Sequence, residues 1–423
     1  MSDIRKMKPA ETVSRIMKRI YDLGYTTTTG GNISMLDEKG NLWITPSAKD
    51  KSSLVPADIC CITKEGKIKG TLKPSSEYTF HKAIYEKRPD IKAIIHAHPP
   101  ALVSFSIIRS VPETTIHPKA FQVCGKTEYA TYELPGSEEL GKVIADEFTK
   151  DRSLCVIMEN HGLVLGGNDM FDAFSRFEAL ETTAQTLINA KNIGNSNYLN
   201  ELQIKELQSD ISKGLPVTSF PKKEKQLRQQ LCNIAKRACN QKLVAGAFGT
   251  YSVRLNEKEV LVTPANAVMW ELRPSEIIKI QCDKEPETKE LQLLRKIYDT
   301  NRTINAVIVS QPVNLMAFAI TGNKFDVRTI PESWIFLQDI QTIDYETGPD
   351  KIASLLNRKN PAVLVSNKAF IVTGDNLLQT FDRLEIAEFS AKSIIMGTPL
   401  GDMVPMNDEQ VEALRIKFKD IIG

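Results

Sequence analysis

The 423-residue chain holds only five histidines, a formal net charge of +2, and no Cys-x-x-Cys pair among its seven cysteines. A charge this close to zero supplies no basic field, so neither nucleic acid nor an acidic membrane surface is expected as a partner. No apolar run approaches the roughly 20 residues of a bilayer-spanning helix, and no secretory leader is legible, so a cytoplasmic location is expected. In that reducing compartment the cysteines (60, 61, 124, 155, 232, 239 and 282) are expected as thiols. The apolar and charged fractions, 42% and 25%, are those of an ordinary globular protein. The length exceeds one typical domain, so two are expected.

With so few histidines, their placement carries information. Ala93-Ile-Ile-His-Ala-His-Pro99 reads as a strand stopped by Pro99-Pro100. Side chains alternate along a strand, so His96 and His98 point to one side with Ala97 turned away. Upstream, Lys73-Pro-Ser-Ser-Glu-Tyr-Thr-Phe-His81 reads as a helix start, with Ser75 or Ser76 as N-cap and Glu77 in the first turn. Downstream, Glu159-Asn-His-Gly162 offers His161 as a third imidazole. Three histidines with a carboxylate nearby describe a catalytic zinc site with an open position. His81 and His117, each alone, read as packing residues or as partners lying behind the site. The free N–H groups at the helix start favour an anion, and the hydroxyls of Ser47, Ser75 and Ser76 with the Asn32 amide add neutral donors.

Five motifs follow in order: Gly31-Asn-Ile-Ser34, Ile44-Thr-Pro-Ser47, Pro74-Ser-Ser-Glu77, His96-Ala-His98 and His161-Gly162. In this set the chain resembles the class II aldolase/adducin family across residues 9 to 190. The resemblance implies an α/β fold with a central, mostly antiparallel sheet flanked by helices. It implies one zinc ion held by His96, His98 and His161, touched also by Glu77 when substrate is absent. It implies Glu77 as the group that moves the substrate proton, and Asn32, Ser47, Ala48, Ser75 and Ser76 as the phosphate site. Aldolases of the family often carry glycine where Ala48 stands. The reaction implied is cleavage of a fuculose-1-phosphate-like ketose to dihydroxyacetone phosphate and an aldehyde, the metal polarising the ketone and stabilising the enediolate. A sugar-phosphate dehydratase or epimerase of the same family is the alternative, although resembling 4-epimerases typically carry aspartate at position 77. A non-catalytic, adducin-like binding protein is the other. Fuculose-phosphate aldolase has a tyrosine soon after a histidine in the segment matching Ile116-His117, whereas Pro118 follows here. The acid for the aldehyde oxygen is left to Tyr129, Tyr132 or a neighbouring chain.

The second half repeats the first. Gly249-Thr-Tyr-Ser252, Val262-Thr-Pro-Ala265, Ala306-Val-Ile-Val-Ser-Gln-Pro312 and Val363-Leu-Val-Ser-Asn-Lys368 stand where the motifs stood. Val309, Gln311 and Lys368 replace the three histidines, Thr250 replaces Asn32, and Glu290 falls at the place of Glu77. The expected plan is therefore two tandem class II aldolase-like α/β/α domains. A metal-binding copy covers 1–191, a linker 192–222, and a degenerate copy without metal ligands 223–423. Family members commonly form four-fold rings, so a homo-oligomer is expected, with two chains making a pseudo-four-fold ring.

Overall fold

The computed structural model describes residues 6–205, 220–245, 248–265, 267–282 and 288–422. The chain forms two compact units, residues 1–114 with 119–185, and residues 115–118 with 186–423.

Eight strands build the sheet of the first unit: β1 (Asn32–Leu36), β2 (Leu42–Ile44), β3 (Cys60–Ile62), β4 (Ile68–Lys69), β5 (Ala93–Ala97), β6 (Thr127–Ala130), β7 (Cys155–Met158) and β8 (Gly162–Gly167). Their order is β4-β3-β2-β1-β5-β8-β7-β6. Only β6 and β7 pair in parallel. The β1–β2 hairpin turns where Asp37 Oδ1 accepts the N–H groups of Lys39 and Asn41, both at 2.9 Å. Every residue of β5, β7 and β8 is buried, so both faces of the sheet centre are covered.

On one face lie helices Tyr78–Lys87 and Glu138–Glu147. Phe80, Ile84, Leu140 and Ile144 pack there against Ile94, Val156, Met158 and Val164. The second of these helices starts as its sequence dictates, with Ser137 Oγ accepting the N–H of Leu140 at 3.1 Å. The first does not. It begins at Tyr78, with Glu77 at the cap, because Ser75 is already engaged. Its N–H reaches Thr45 O (3.2 Å), its O accepts from Tyr78 N (3.2 Å), and its Oγ accepts from Glu77 N (3.3 Å). Helix Pro100–Ile107 follows β5 directly. Its apolar residues run without a helical period, so the pattern could not declare it.

The second unit repeats this plan with β9 (Thr250–Arg254), β10 (Glu259–Val262), β11 (Ile278–Gln281), β12 (Ala306–Ser310), β13 (Gln341–Ile343), β14 (Ala362–Val365) and β15 (Ala369–Gly374). The order is β11-β10-β9-β12-β15-β14-β13, again with one parallel pair, β13 with β14. Even the register is repeated. Asn32 lies opposite His96 and Ser34 opposite Ile94; Thr250 lies opposite Val309 and Ser252 opposite Val307. Within the stretch expected as a linker, a short helix spans Glu201–Lys205; residues 206–219 lie outside the described residues.

Candidate metal centre

Strand alternation carries Ile94, His96 and His98 toward the face that helix Tyr78–Lys87 covers, which is why this helix start meets the histidines. His161 arrives from the tight β7–β8 turn, made by Asn160 at φ +54°. Gly162 then passes the end of β5 so closely that a Cβ there would lie 2.6 Å from Ala97 O and 2.8 Å from the His98 ring. The ligand-capable atoms of His96, His98 and His161 all lie within 4.8 Å of one another.

The protonation of these rings suits a metal. His96 is fully buried, and its Nδ1–H donates to Leu163 O at 2.9 Å, which leaves the Nε2 lone pair for the site. Burial pushes His96 down to about 3, helped by His161. Burial and the two neighbouring imidazoles push His98 down to about 3. Burial also lowers His161. Neutral imidazoles are the ligand form, and His98 Nε2 stands 3.1 Å from His96 Nε2, so two ring nitrogens face one another where a shared cation satisfies both. The residues therefore fit a divalent metal. Glu77 lies alongside, Oε2 at 3.4 Å from His96 Nε2 and Oε1 at 3.7 Å from His161 Nε2. With the rings neutral, these are contacts rather than ion pairs.

The other sequence candidates fall in two groups. Asn32 is tied to Glu77: its Nδ2 donates to Glu77 Oε2 at 2.6 Å, while its Oδ1 faces His81 Nε2 at 2.5 Å. One of its N–H groups remains for a ligand. Ser47, Ala48, Ser75 and Ser76 lie on two segments joined at an antiparallel bridge between Pro46 and Pro74, with Ser47 N donating to Lys73 O at 2.9 Å. Ser47, Ala48 and Ser76 are exposed and Ser75 is buried. His117 is buried in the second unit, its ring edge-on to Phe248. Tyr129 lies on β6, and Tyr132 is exposed.

Sequence reasoning passed over three residues. Ser34 and Tyr85 join His81 in a buried hydrogen-bonded group; the i, i+4, i+8 spacing of Glu77, His81 and Tyr85 on one helix was the available signal. Lys51 is buried too, its Nζ donating to Pro46 O at 3.3 Å, and burial pulls it down to about 8. An isolated lysine in a polar loop carries no such signal.

In the second unit Val309 joins the apolar core. Lys368 lies over the Tyr345 ring, 4.9 Å from its centroid.

Two α/β units of one design, one of them with clustered imidazoles, define a duplicated metal-site scaffold. The chain belongs to the class II aldolase and adducin N-terminal domain family, whose model matches residues 11–188 and 229–395. It is an enzyme of the class II aldolase type, a carbon–carbon lyase. Three relatives illustrate the match, each against less than half of this chain. A 3-oxo-tetronate 4-phosphate decarboxylase of Haemophilus influenzae is 29% identical over 203 residues, 47% of this chain and 95% of the relative. A 5-deoxy-D-ribulose 1-phosphate aldolase of Bacillus thuringiensis is 31% identical over 202 residues, 47% and 93%. An L-fuculose phosphate aldolase of Methanococcus maripaludis is 35% identical over 173 residues, 40% and 91%. No helix among the described residues is long and apolar enough to cross a membrane.

Proposed function

We propose that the first unit is a zinc-dependent aldolase that reversibly cleaves a phosphorylated ketose to dihydroxyacetone phosphate and an aldehyde. The observation that carries this reading is the convergence of three neutral imidazoles with one carboxylate 3.4 to 3.7 Å from two of them. Zinc held by His96, His98 and His161, the default for an all-imidazole set, supplies Lewis-acid polarisation of the ketone. Glu77 would also lie within reach of the metal before substrate arrives. Once substrate is seated, its carboxylate takes or returns the proton at the carbon next to the carbonyl. Ser47, Ala48, Ser75 and Ser76, with the remaining Asn32 N–H, receive the phosphate where a helix begins, so one end of the substrate is fixed before the other reacts. The second unit is catalytically silent, because Val309, Gln311 and Lys368 offer no ligand set.

A second reading is favoured by the decarboxylase among the relatives. Losing CO2 from a phosphorylated 3-oxo acid, like splitting a ketose, breaks a carbon–carbon bond beside a carbonyl and leaves electrons that the same site must hold. The two differ in the co-product.

The test is metal content followed by turnover. Protein purified without chelator or a histidine tag is expected to hold about one zinc per chain, with His96→Ala holding none. Wild-type protein is then screened on ketose 1-phosphates for aldehyde and on phosphorylated 3-oxo acids for CO2. Aldehyde release supports the aldolase, and CO2 release alone replaces it with the decarboxylase. Absence of metal after zinc addition overturns both.

A further inference from the structure

We infer that His81 is a positioning residue, which acts through Asn32 to aim the Glu77 carboxylate at the three histidines by hydrogen bonds that all donate toward Glu77. The inference rests on the role proposed for Glu77.

Each direction in the chain follows from the one before. A carboxylate oxygen accepts, so Asn32 Nδ2–H donates to Glu77 Oε2 at 2.6 Å. That orientation turns Asn32 Oδ1 toward His81. An amide oxygen only accepts, so His81 Nε2 carries the proton across the 2.5 Å contact. His81 has no exposed surface, and burial holds its ring neutral. A neutral ring has one proton, so Nδ1 accepts from Ser34 Oγ–H at 2.7 Å. Tyr85 Oη–H closes the chain, 2.9 Å from Ser34 Oγ and 3.1 Å from Ser34 O. None of these groups can turn without leaving a buried donor or acceptor unpaired, at a cost of about 1–3 kcal/mol each. The carboxylate therefore keeps one oxygen pinned at Asn32 and turns the other toward His161.

The second unit separates the scaffold from the chemistry. Ser252 and Tyr298 occupy the places of Ser34 and Tyr85, and their hydroxyls lie 2.9 Å apart, as in the first unit. Leu294 stands at the place of His81, four residues after Glu290, and packs in the apolar core with Val309. Thr250 replaces Asn32 and hydrogen-bonds to Glu290 directly. The serine–tyrosine pair thus serves the fold in both units. The histidine–asparagine link is present only beside the three histidines, and a demand of packing alone is met in the second unit by leucine.

The test copies the second unit. His81→Leu is expected to keep its zinc but, with Ser34 Oγ and Asn32 Oδ1 left without their partner, to unfold at a lower midpoint, and to lose about 10- to 100-fold in kcat with KM changed less than about two-fold. His81→Gln, whose amide N–H can stand in for Nε2–H, is expected to recover most of the rate. Independently of turnover, 15N-histidine NMR on the metal-free protein, with only five histidines to resolve, is expected to show His81 as the Nε2–H tautomer. An Nδ1–H tautomer overturns the inference. So does wild-type turnover in His81→Leu, or an equal loss of zinc, stability and rate in both variants. If wild-type protein cleaves no ketose, the proposed function fails, and the tautomer still decides the direction of the chain.

Discussion

The division of labour among single residues is sharp enough to separate by substitution. His96 commits Nδ1 to Leu163 O and keeps Nε2 for the site, so under the proposed function its loss is expected to remove a metal ligand. Glu77→Gln retains an oxygen to accept from Asn32 but cannot take a proton. Zinc content is expected to hold while turnover falls by about 10²- to 10⁴-fold. Metal analysis and kcat on one preparation check both halves. The clustering of the three histidines beside the glutamate was legible because a scarce residue type is concentrated in short motifs. His81 was read as a packing residue or a partner behind the site, since one histidine on a helix declares no partner. Only the strand opposite shows that its two nitrogens meet Ser34 and Asn32.

Among elements, the pairing of β1 with β5 decides whether the site exists. Asn32 lies opposite His96 across that ladder, and Gly31, just before β1, holds the chain in a left-handed turn at φ +65°. A Cβ at Gly31 would lie 2.7 Å from His96 O, which is backbone and cannot swing aside. Gly31→Ala is expected to cost about 1–3 kcal/mol in urea unfolding and to weaken zinc retention, because relief of the clash pushes β1 from β5. The sequence shows a glycine at the head of the Gly31-Asn-Ile-Ser34 motif. It could not name the neighbour that makes the glycine obligatory, since β5 lies some sixty residues further along the chain. The Tyr78 helix start was misplaced for a similar reason: Ser75 looked free to cap until the Pro46–Pro74 bridge engaged its backbone.

Across the whole molecule, the duplication has kept buried devices that motifs do not show. Glu181 accepts from Ala101 N and Leu102 N at the start of the helix after β5, and Glu388 does the same for Asn314 and Leu315 after β12. Burial outweighs these donors at Glu388 and pushes it up to about 7 from an ordinary 4.5. The folded unit therefore keeps a proton that the unfolded chain releases between those values. The stability this contributes is complete below pH 4.5 and is lost as pH rises through about 7. The loss amounts to about 3 kcal/mol over the window. Denaturant unfolding of the full chain at pH 5 and pH 8 is expected to show that decline in the wild type and a much flatter response in Glu388→Gln. Metal stoichiometry belongs to this scale as well, and one zinc per chain, not two, is the expected value for a duplicated chain with one surviving ligand set.

The amino-acid order alone determined the α/β class, the tandem repeat, the identity of the imidazole set and the loss of that set in the second copy. These are local facts: strand alternation, short motifs and their spacing are complete within a few residues. Tertiary structure decided what each polar group does with its second hydrogen-bonding position. Asn32 spends its amide on Glu77 and His81, Ser75 spends its backbone on Thr45 and Tyr78, and Leu294 fills with hydrocarbon the place where His81 stands in the first unit. Apart from the local Ser75–Tyr78 contact, these hydrogen bonds join residues 30 to 49 positions apart, and burial makes each a requirement, because a donor or acceptor shut away from water must find a partner in the fold.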